Sequence, residues 1–351
     1  RDPEMSRGLG DVYKRQDKNL ADSEEMLGLL TGSGHEIVDS EEEAEAIVIN
    51  TCCFIHDAKE ESVNTILEMA EYKKTGKCKA LVVTGCMAQR YKEEITQEIP
   101  EVDAVLGTTS YGDIVKALNE VQAGHVFQEF RDINELPEDS GRRVLTTGGH
   151  FGYLKIAEGC DKHCTYCIIP SLRGSFRSVP EERLLAQAEY MASQGVKELI
   201  LVAQETTVYG TDLYGRKTLH ILLKKLCQIR GIRWIRVLYC YPEEIYDELI
   251  QVMKEEKKIC NYLDLPIQHA SDRILKRMGR RTTRKQLTDI ITKLRREIPD
   301  IVLRTSLITG FPGETQEDHE ELMEFVDEME FDRLGVFTYS PEEGTPAESM
   351  E

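Results

Sequence analysis

Three cysteines within eight residues, Cys160, Cys164 and Cys167, constrain this chain more than any other feature. They follow the apolar run Tyr153 to Ala157, which reads as a strand. The C-x-x-x-C-x-x-C spacing therefore falls on the loop leaving a strand's C-terminal end. Three thiolates on one short loop can hold three corners of a cubane iron–sulfur cluster and leave the fourth iron open to a small molecule. A structural zinc site is the alternative. It needs a fourth ligand, and the near candidate, His163, adjoins Cys164 and would have to turn to the same metal from a neighbouring position. A disulfide fits an odd trio poorly, and nothing marks the chain as secreted.

The rest of the composition sets bounds. A chain of 351 residues has room for two domains. Ten cysteines suit a reducing cytoplasm and metal use better than disulfide staples. No apolar run approaches the ~18 residues of a membrane span. The net charge of −19 argues against a broad nucleic-acid footprint and suits a basic protein partner.

Residues 1–16 are polar, rich in Arg and Gly, and without strand or helix period, and they read as an artefact outside the fold. From Asp17 an α/β rhythm begins. Leu20, Met26, Leu27, Leu29 and Leu30 make a helical face ended by Gly32 and Gly34. Strands are predicted at 46–51, 80–84 and 102–106, and helices over 59–73, 88–97 and 111–121. Strands separated by helices imply a parallel sheet. The first domain is thus set at 17–126, followed by a linker over 127–149, which is charged and weakly patterned.

The second domain, 150–351, repeats the rhythm six times. Strands are predicted near 153–157, 198–203, 233–239, 262–266, 302–308 and 334–339. Helices are predicted near 181–193, 218–229, 243–256, 271–278, 283–297 and 316–329. The fold class is therefore α/β: an N-terminal parallel-sheet domain and a partial (β/α)6 barrel. In such barrels the chemistry sits at the C-terminal strand ends. The polar residues there are the cysteine triad, Gln204 and Glu205, Tyr239 to Tyr241, Gln268 and His269, and Gly310 to Glu314. Each has two readings. Gln204 and Glu205 either cap the next helix or bind a polar ligand. Gln268 and His269 are either satisfied half-buried groups or ligand contacts. Gly310 and Gly313 either permit a tight turn or let the backbone approach a ligand. Arg304 either makes an ion pair or reaches a ligand carboxylate. Cys227 reads as core, and Cys78, Cys240 and Cys260 as unligated. Two more cysteines, Cys52 and Cys86, follow the first two strands of the first domain, at the edge where open α/β sheets bind ligands.

The triad, with Tyr166 just before its last cysteine, resembles the motif of radical S-adenosylmethionine enzymes. That resemblance implies a 4Fe-4S cluster on Cys160, Cys164 and Cys167. It also implies S-adenosylmethionine as cofactor, with Gln204, Glu205, Gln268, Arg304, Gly310 and Gly313 around it. Lys18-Asn19, Asp22-Ser23-Glu24, Asn50-Thr51-Cys52 and Gly85-Cys86 with Gln89-Arg90 resemble the N-terminal domain of methylthiotransferases. This implies a second 4Fe-4S cluster on Cys52, Cys86 and a third cysteine. Gln16 stands at that third position, so one ligand and the preceding strand are expected to be missing. Cys53 is a poor substitute beside Cys52. The resemblance also implies a last helix and a small TRAM barrel beyond Glu351.

Within that family, Gly152 to Cys160, Ile168 to Gly174, Val202 to Thr207 and Ile267 to Asp272 resemble the RimO branch, which modifies an aspartate of a ribosomal protein. The resemblance implies methylthiolation of the aspartate β-carbon in the twelfth small-subunit protein, using two S-adenosylmethionines. It further implies a flavodoxin-type electron donor, with the sulfur donor left unassigned; no membrane association is expected, from the lack of a long apolar run. The alternative is a MiaB-like methylthiotransferase acting on adenosine in transfer RNA.

Overall fold

A computed structural model describes residues 17–138, 141 and 143–351. It divides into two compact units. One runs to Gly149 and also takes in Ile169–Ser175, while the other comprises His150–Ile168 and Phe176–Glu351. Residues 1–16, including Gln16, lie outside the described residues.

The first unit is a four-stranded sheet. Strands β1 (Ala46–Thr51), β2 (Ala80–Gly85), β3 (Ala104–Leu106) and β4 (Phe127–Glu129) lie side by side in that order. All three pairings are parallel. Short β-branched runs suit strands covered on both faces, and every residue of β2 and β3 is buried. Helices α1 (Asp17–Gly32), α2 (His56–Thr75), α3 (Cys86–Tyr91), α4 (Glu93–Glu98) and α5 (Ile114–Gln122) follow the predicted rhythm, and α6 (Ile169–Arg173) joins this unit from later in the chain. Met26, Val48, Val82, Leu106, Ile114 and Leu118 pack into one core.

Two expectations change here. The single helix over 88–97 is two helices, broken at Lys92, whose φ of +38° interrupts the ladder. The stretch 127–149 is not all linker. Phe127–Glu129 is β4, and farther on Arg143 and Thr146 bind the buried carboxylate of Glu24. Its three strand residues are only half-buried, so no apolar period marks them.

The second unit holds one six-stranded sheet. Strands β5 (Phe151–Lys155), β8 (Glu198–Val202), β9 (Trp234–Val237), β10 (Ile259–Asp264), β11 (Val302–Thr309) and β12 (Arg333–Thr338) run parallel in sequence order. All six predicted strands are present. The intervening chain forms a small hairpin of β6 (Ala157–Glu158) and β7 (Arg177–Ser178), and helices α7 (Glu181–Ser193), α8 (Thr211–Tyr214), α9 (Leu219–Cys227), α10 (Asp247–Glu255), α11 (Asp272–Arg277), α12 (Arg284–Glu297) and α13 (Gln316–Met329). Strands β5 and β12 are the two edges, so the sheet is an open (β/α)6 barrel. Thr283 and Thr315 start α12 and α13 with reciprocal capping boxes, which satisfy helix-end donors and fix where those helices begin. No described helix is long and apolar enough to cross a membrane.

Candidate iron–sulfur and nucleotide sites

The cysteine loop leaves β5 through β6. Gly159 turns it at φ +74° and His163 holds φ +46°, a costly value for a side-chain-bearing residue. Several contacts fix the loop from outside. Thr165 N–H donates to Met278 O at 3.0 Å, Thr165 Oγ1 donates to Arg277 O at 2.9 Å, and Ala347 N–H donates to Thr165 O at 2.8 Å. Asp161 accepts from Phe176 N–H at 3.0 Å. Lys162 pairs with Glu244. Tyr166 sets its ring edge-on to Phe311, at 6.4 Å between centroids, in a small apolar cluster with Ile274 and Met278. Its place just before Cys167 thus anchors the loop.

Cys160 and Cys164 are buried and Cys167 is half-buried. Burial pushes the Cys160 thiol up to about 11. A buried thiol of this kind ionises when a cation binds it. His163 is exposed while Cys164 beside it is buried, so the two neighbours diverge and do not face one zinc. Three cysteines on one loop, with no fourth side-chain ligand beside them, are the donor set that a four-iron cluster takes.

The other predicted strand-end residues fall into two groups. Gln204 and Glu205 follow β8 and carry buried oxygens without partners, Gln204 Oε1 and Glu205 Oε2. Glu205 Oε1 accepts from Thr207 N–H at 2.9 Å and from the Thr207 hydroxyl. Burial pushes the Glu205 carboxyl up to about 7. Orphaned buried acceptors are costly unless a donor arrives, so this pair fits a cationic ligand and does not act as a helix cap. The remaining residues are wholly or partly engaged within the fold. Arg304 Nη1 donates to Asp264 Oδ1 at 2.8 Å across the β10–β11 register. His269 Nδ1 accepts from Ser271 N–H at 3.0 Å, and Nε2 faces Glu314 at 3.5 Å. Gln268, at φ +70°, bridges to β11 through its backbone. Gly313, at φ +80°, would place a Cβ 2.8 Å from Arg277 Nε, while Gly310, at φ +71°, has open space. Both positive φ values require a turn, and no ligand needs to be invoked for them.

Sequence reasoning missed Arg280. It is only 6% exposed, stacks 4.2 Å over the Tyr241 ring, and has buried Nε and Nη1 donors without partners. Tyr241 in turn places its hydroxyl 3.6 Å from Cys164 Sγ.

In the first unit, Cys52, Cys53 and Cys86 are buried at the C-terminal ends of the adjacent strands β1 and β2. Burial, then the neighbouring Cys86, pushes Cys52 up to about 12, and the same causes push Cys53 up. Ser62 clamps Cys52, accepting from its N–H at 3.1 Å and donating to its carbonyl at 2.9 Å. Arg173, on α6, was also missed. Its Nε donates to Cys86 Sγ at 3.4 Å, Nη2 to Asn19 Oδ1 at 2.8 Å, and Nη1 to Asp22 Oδ2 at 3.2 Å. Asn50 Nδ2 donates to Asn19 O and to Ser23 Oγ, both at 3.0 Å. The polar motif residues of α1 therefore brace the end of β1 and the guanidinium beside Cys86.

Comparison with known proteins agrees with this geometry. A family model described as the Radical SAM superfamily matches residues 154–326, and one described as Uncharacterized protein family UPF0004 matches residues 17–107. The ribosomal protein uS12 methylthiotransferase RimO of Lachnoclostridium phytofermentans is 67% identical over 95% of this chain and 76% of its own length. The protein of that name from Clostridium botulinum is 52% identical over 98% of this chain and 77% of its own length. Among solved structures, the radical S-adenosylmethionine methyltransferase TsrM from Kitasatospora setae superposes with a TM-score of 0.69 at 13% identity, covering 96% of this chain and 75% of that one. The cobalamin-dependent radical enzyme OxsB gives 0.61 at 13% identity, covering 93% and 51%. At such identities these structures speak for the fold alone. On the relatives' identity and extent, the chain belongs to the RimO family of radical S-adenosylmethionine methylthiotransferases.

Proposed function

We propose that this protein methylthiolates ribosomal protein uS12, replacing one hydrogen on the β-carbon of an aspartate by SCH3. The observation that carries the reading is the 67% identity to a RimO of that activity over nearly the whole chain. Two S-adenosylmethionines are consumed for each product, one giving the methyl group and the other the hydrogen-abstracting radical. The transfer-RNA alternative is not favoured, because the relatives at 52–67% identity carry the uS12 name.

The residues divide the work as follows. Cys160, Cys164 and Cys167 would hold the radical-generating cluster on their braced loop. With S-adenosylmethionine bound, such a cluster supplies one-electron cleavage of the sulfonium to a 5′-deoxyadenosyl radical, which reaches a C–H too weakly acidic for any side-chain base. The free oxygens of Gln204 and Glu205 offer acceptors to the ammonium of the methionine moiety. Thr207 fixes Glu205 Oε1 and leaves Oε2 for that contact. Burial around β8 keeps water from competing for it. Cys52 and Cys86 would hold a second cluster, with Arg173 orienting Cys86. The electron enters from a low-potential donor of the flavodoxin class, and a ribosomal-protein substrate places the enzyme in the cytoplasm.

The test is mass spectrometry of uS12 incubated anaerobically with the reconstituted enzyme, S-adenosylmethionine, sulfide and reductant. The expected result is a modified aspartate bearing one SCH3 in place of H. An unmodified uS12 beside a methylthiolated adenosine in transfer RNA overturns the reading.

A further inference from the structure

The guanidinium of Arg280, two of whose nitrogens have no partner, is a buried charge beside the cysteine loop that the reading above does not use. Its backbone is tied to that loop, since a Cβ on Gly279 would lie 3.2 Å from His163 O, and Met278 O accepts from Thr165 N–H at 3.0 Å. Its side chain stacks on Tyr241, and Nη2 donates to Pro266 O at 3.0 Å. The nearest carboxylate is that of Glu243, whose Oε2 lies 4.0 Å from Nη2 and whose Oε1 lies 3.9 Å from Lys162 Nζ. Nε and Nη1 have no partner and are closed to solvent.

A buried cation without a matching anion is unfavourable, and native sites supply the anion. The acidic groups around this one are Tyr166, Tyr241, Cys164 and Glu243. Glu243 meets only Nη2, at 4.0 Å. Of the other groups, Cys164 belongs to the cysteine loop, so a negative charge held there faces the guanidinium. A cluster on three thiolates carries net negative charge, and reduction adds one more. A cation held nearby in a low dielectric favours the reduced form.

We propose that Arg280 is a positioning residue for electron entry, its fixed charge beside Cys164 raising the reduction potential of the cluster held by Cys160, Cys164 and Cys167. The step is one electron passing from a low-potential flavodoxin-class donor to that cluster, with no bond made or broken and no proton taken by Arg280. The inference rests on the reading of the triad as a cluster site.

The experiment is a dithionite redox titration followed by electron paramagnetic resonance, on anaerobically reconstituted protein. A Cys86→Ala background leaves the radical-generating cluster as the reporter. Arg280→Met should weaken reduction about tenfold, equivalent to ~59 mV for one electron. Arg280→Lys, which keeps the charge, should stay near the parent. Parent potentials in both variants overturn the inference. If Met fails to load iron, the neutral Arg280→Gln takes its place and should show the same lowered potential; a Gln potential equal to the parent's overturns the inference. If Lys fails to load as well, the side chain acts through shape and the inference falls. A parent that assembles no cluster defeats the function reading itself, an outcome distinct from the others.

Discussion

Glu205→Gln tests the site through stability before any chemistry. The carboxyl is 1% exposed, one oxygen is held by Thr207, and the other has no partner. Burial raises it from the ordinary 4.5 to about 7. The folded protein therefore binds a proton there that the unfolded chain has already lost between those two values. Its contribution to stability is fully present below about 4.5, fades as pH rises, and is gone above about 7. A tenfold change in acidity is worth about 1.4 kcal/mol, so the whole effect is about 3 kcal/mol. Glutamine keeps the acceptor for Thr207 and never ionises. In a unit of this size the variant should melt roughly 6–12 °C above the parent at pH 8, by the usual scaling of melting temperature with free energy. The gap should narrow steadily toward pH 5. Differential scanning calorimetry of the cluster-free protein across that range measures it. Melting curves that run parallel at every pH would refute the reasoning, since they would mean Glu205 is solvated or already paired. In the loaded protein the same substitution should weaken S-adenosylmethionine binding, because the anion that faces the ammonium is gone.

Three further outcomes follow from the geometry. Cys164→Ala should lose the iron–sulfur absorbance of the radical-generating site, whereas Cys227→Ala, in the packed face of α9, should keep it. Arg173→Met removes a charge-assisted hydrogen bond to buried Asp22 and should cost about 1.5–3 kcal/mol, read as a lower melting temperature of the first unit. Adding Asp22→Asn should recover part of that loss, and a purely additive double variant would show that the pair is not coupled. Gly85→Ala places a Cβ 2.3 Å from Asn50 Oδ1 and 2.5 Å from the Thr51 carbonyl at a φ of +94°. It should cost about 1–3 kcal/mol and disturb Cys86, so iron content at the second site should fall more than at the first.

The strands and the cysteine triad were legible because both are local. An apolar β-branched run bounded by turn residues is a strand wherever it packs, and in a parallel β/α sheet the residue after each run lands on the same edge. That reasoning placed Cys160, Gln204, Cys52 and Cys86 correctly at strand ends. It failed at Phe127–Glu129, where a three-residue strand at the sheet's edge is too short and too exposed to carry a period. It failed again at Lys92, whose positive φ breaks a helix that its sequence pattern would continue.

What strand-end position cannot reveal is which polar atoms are left over. Arg304, His269, Gln204 and Glu205 look alike in sequence, as polar groups on or after an apolar run. In space Arg304 is spent on Asp264, and His269 gives Nδ1 to Ser271 while Nε2 faces the Glu314 carboxylate at 3.5 Å, whereas Gln204 and Glu205 each keep a buried oxygen with no donor near it. The difference lies in partners 2 to 45 positions away, which no local pattern records. The arginines make the same point more strongly. Arg173 meets Asp22 across 151 positions, and Arg280 meets Tyr241 only because its loop packs on the cysteines. A guanidinium is neutral evidence in a sequence. Once buried beside a thiolate it becomes a fixed charge whose effect scales inversely with the local dielectric. The chemistry of this site is therefore set in two layers: cysteine spacing decides what can be bound, and tertiary placement of distant cations decides at what potential it works.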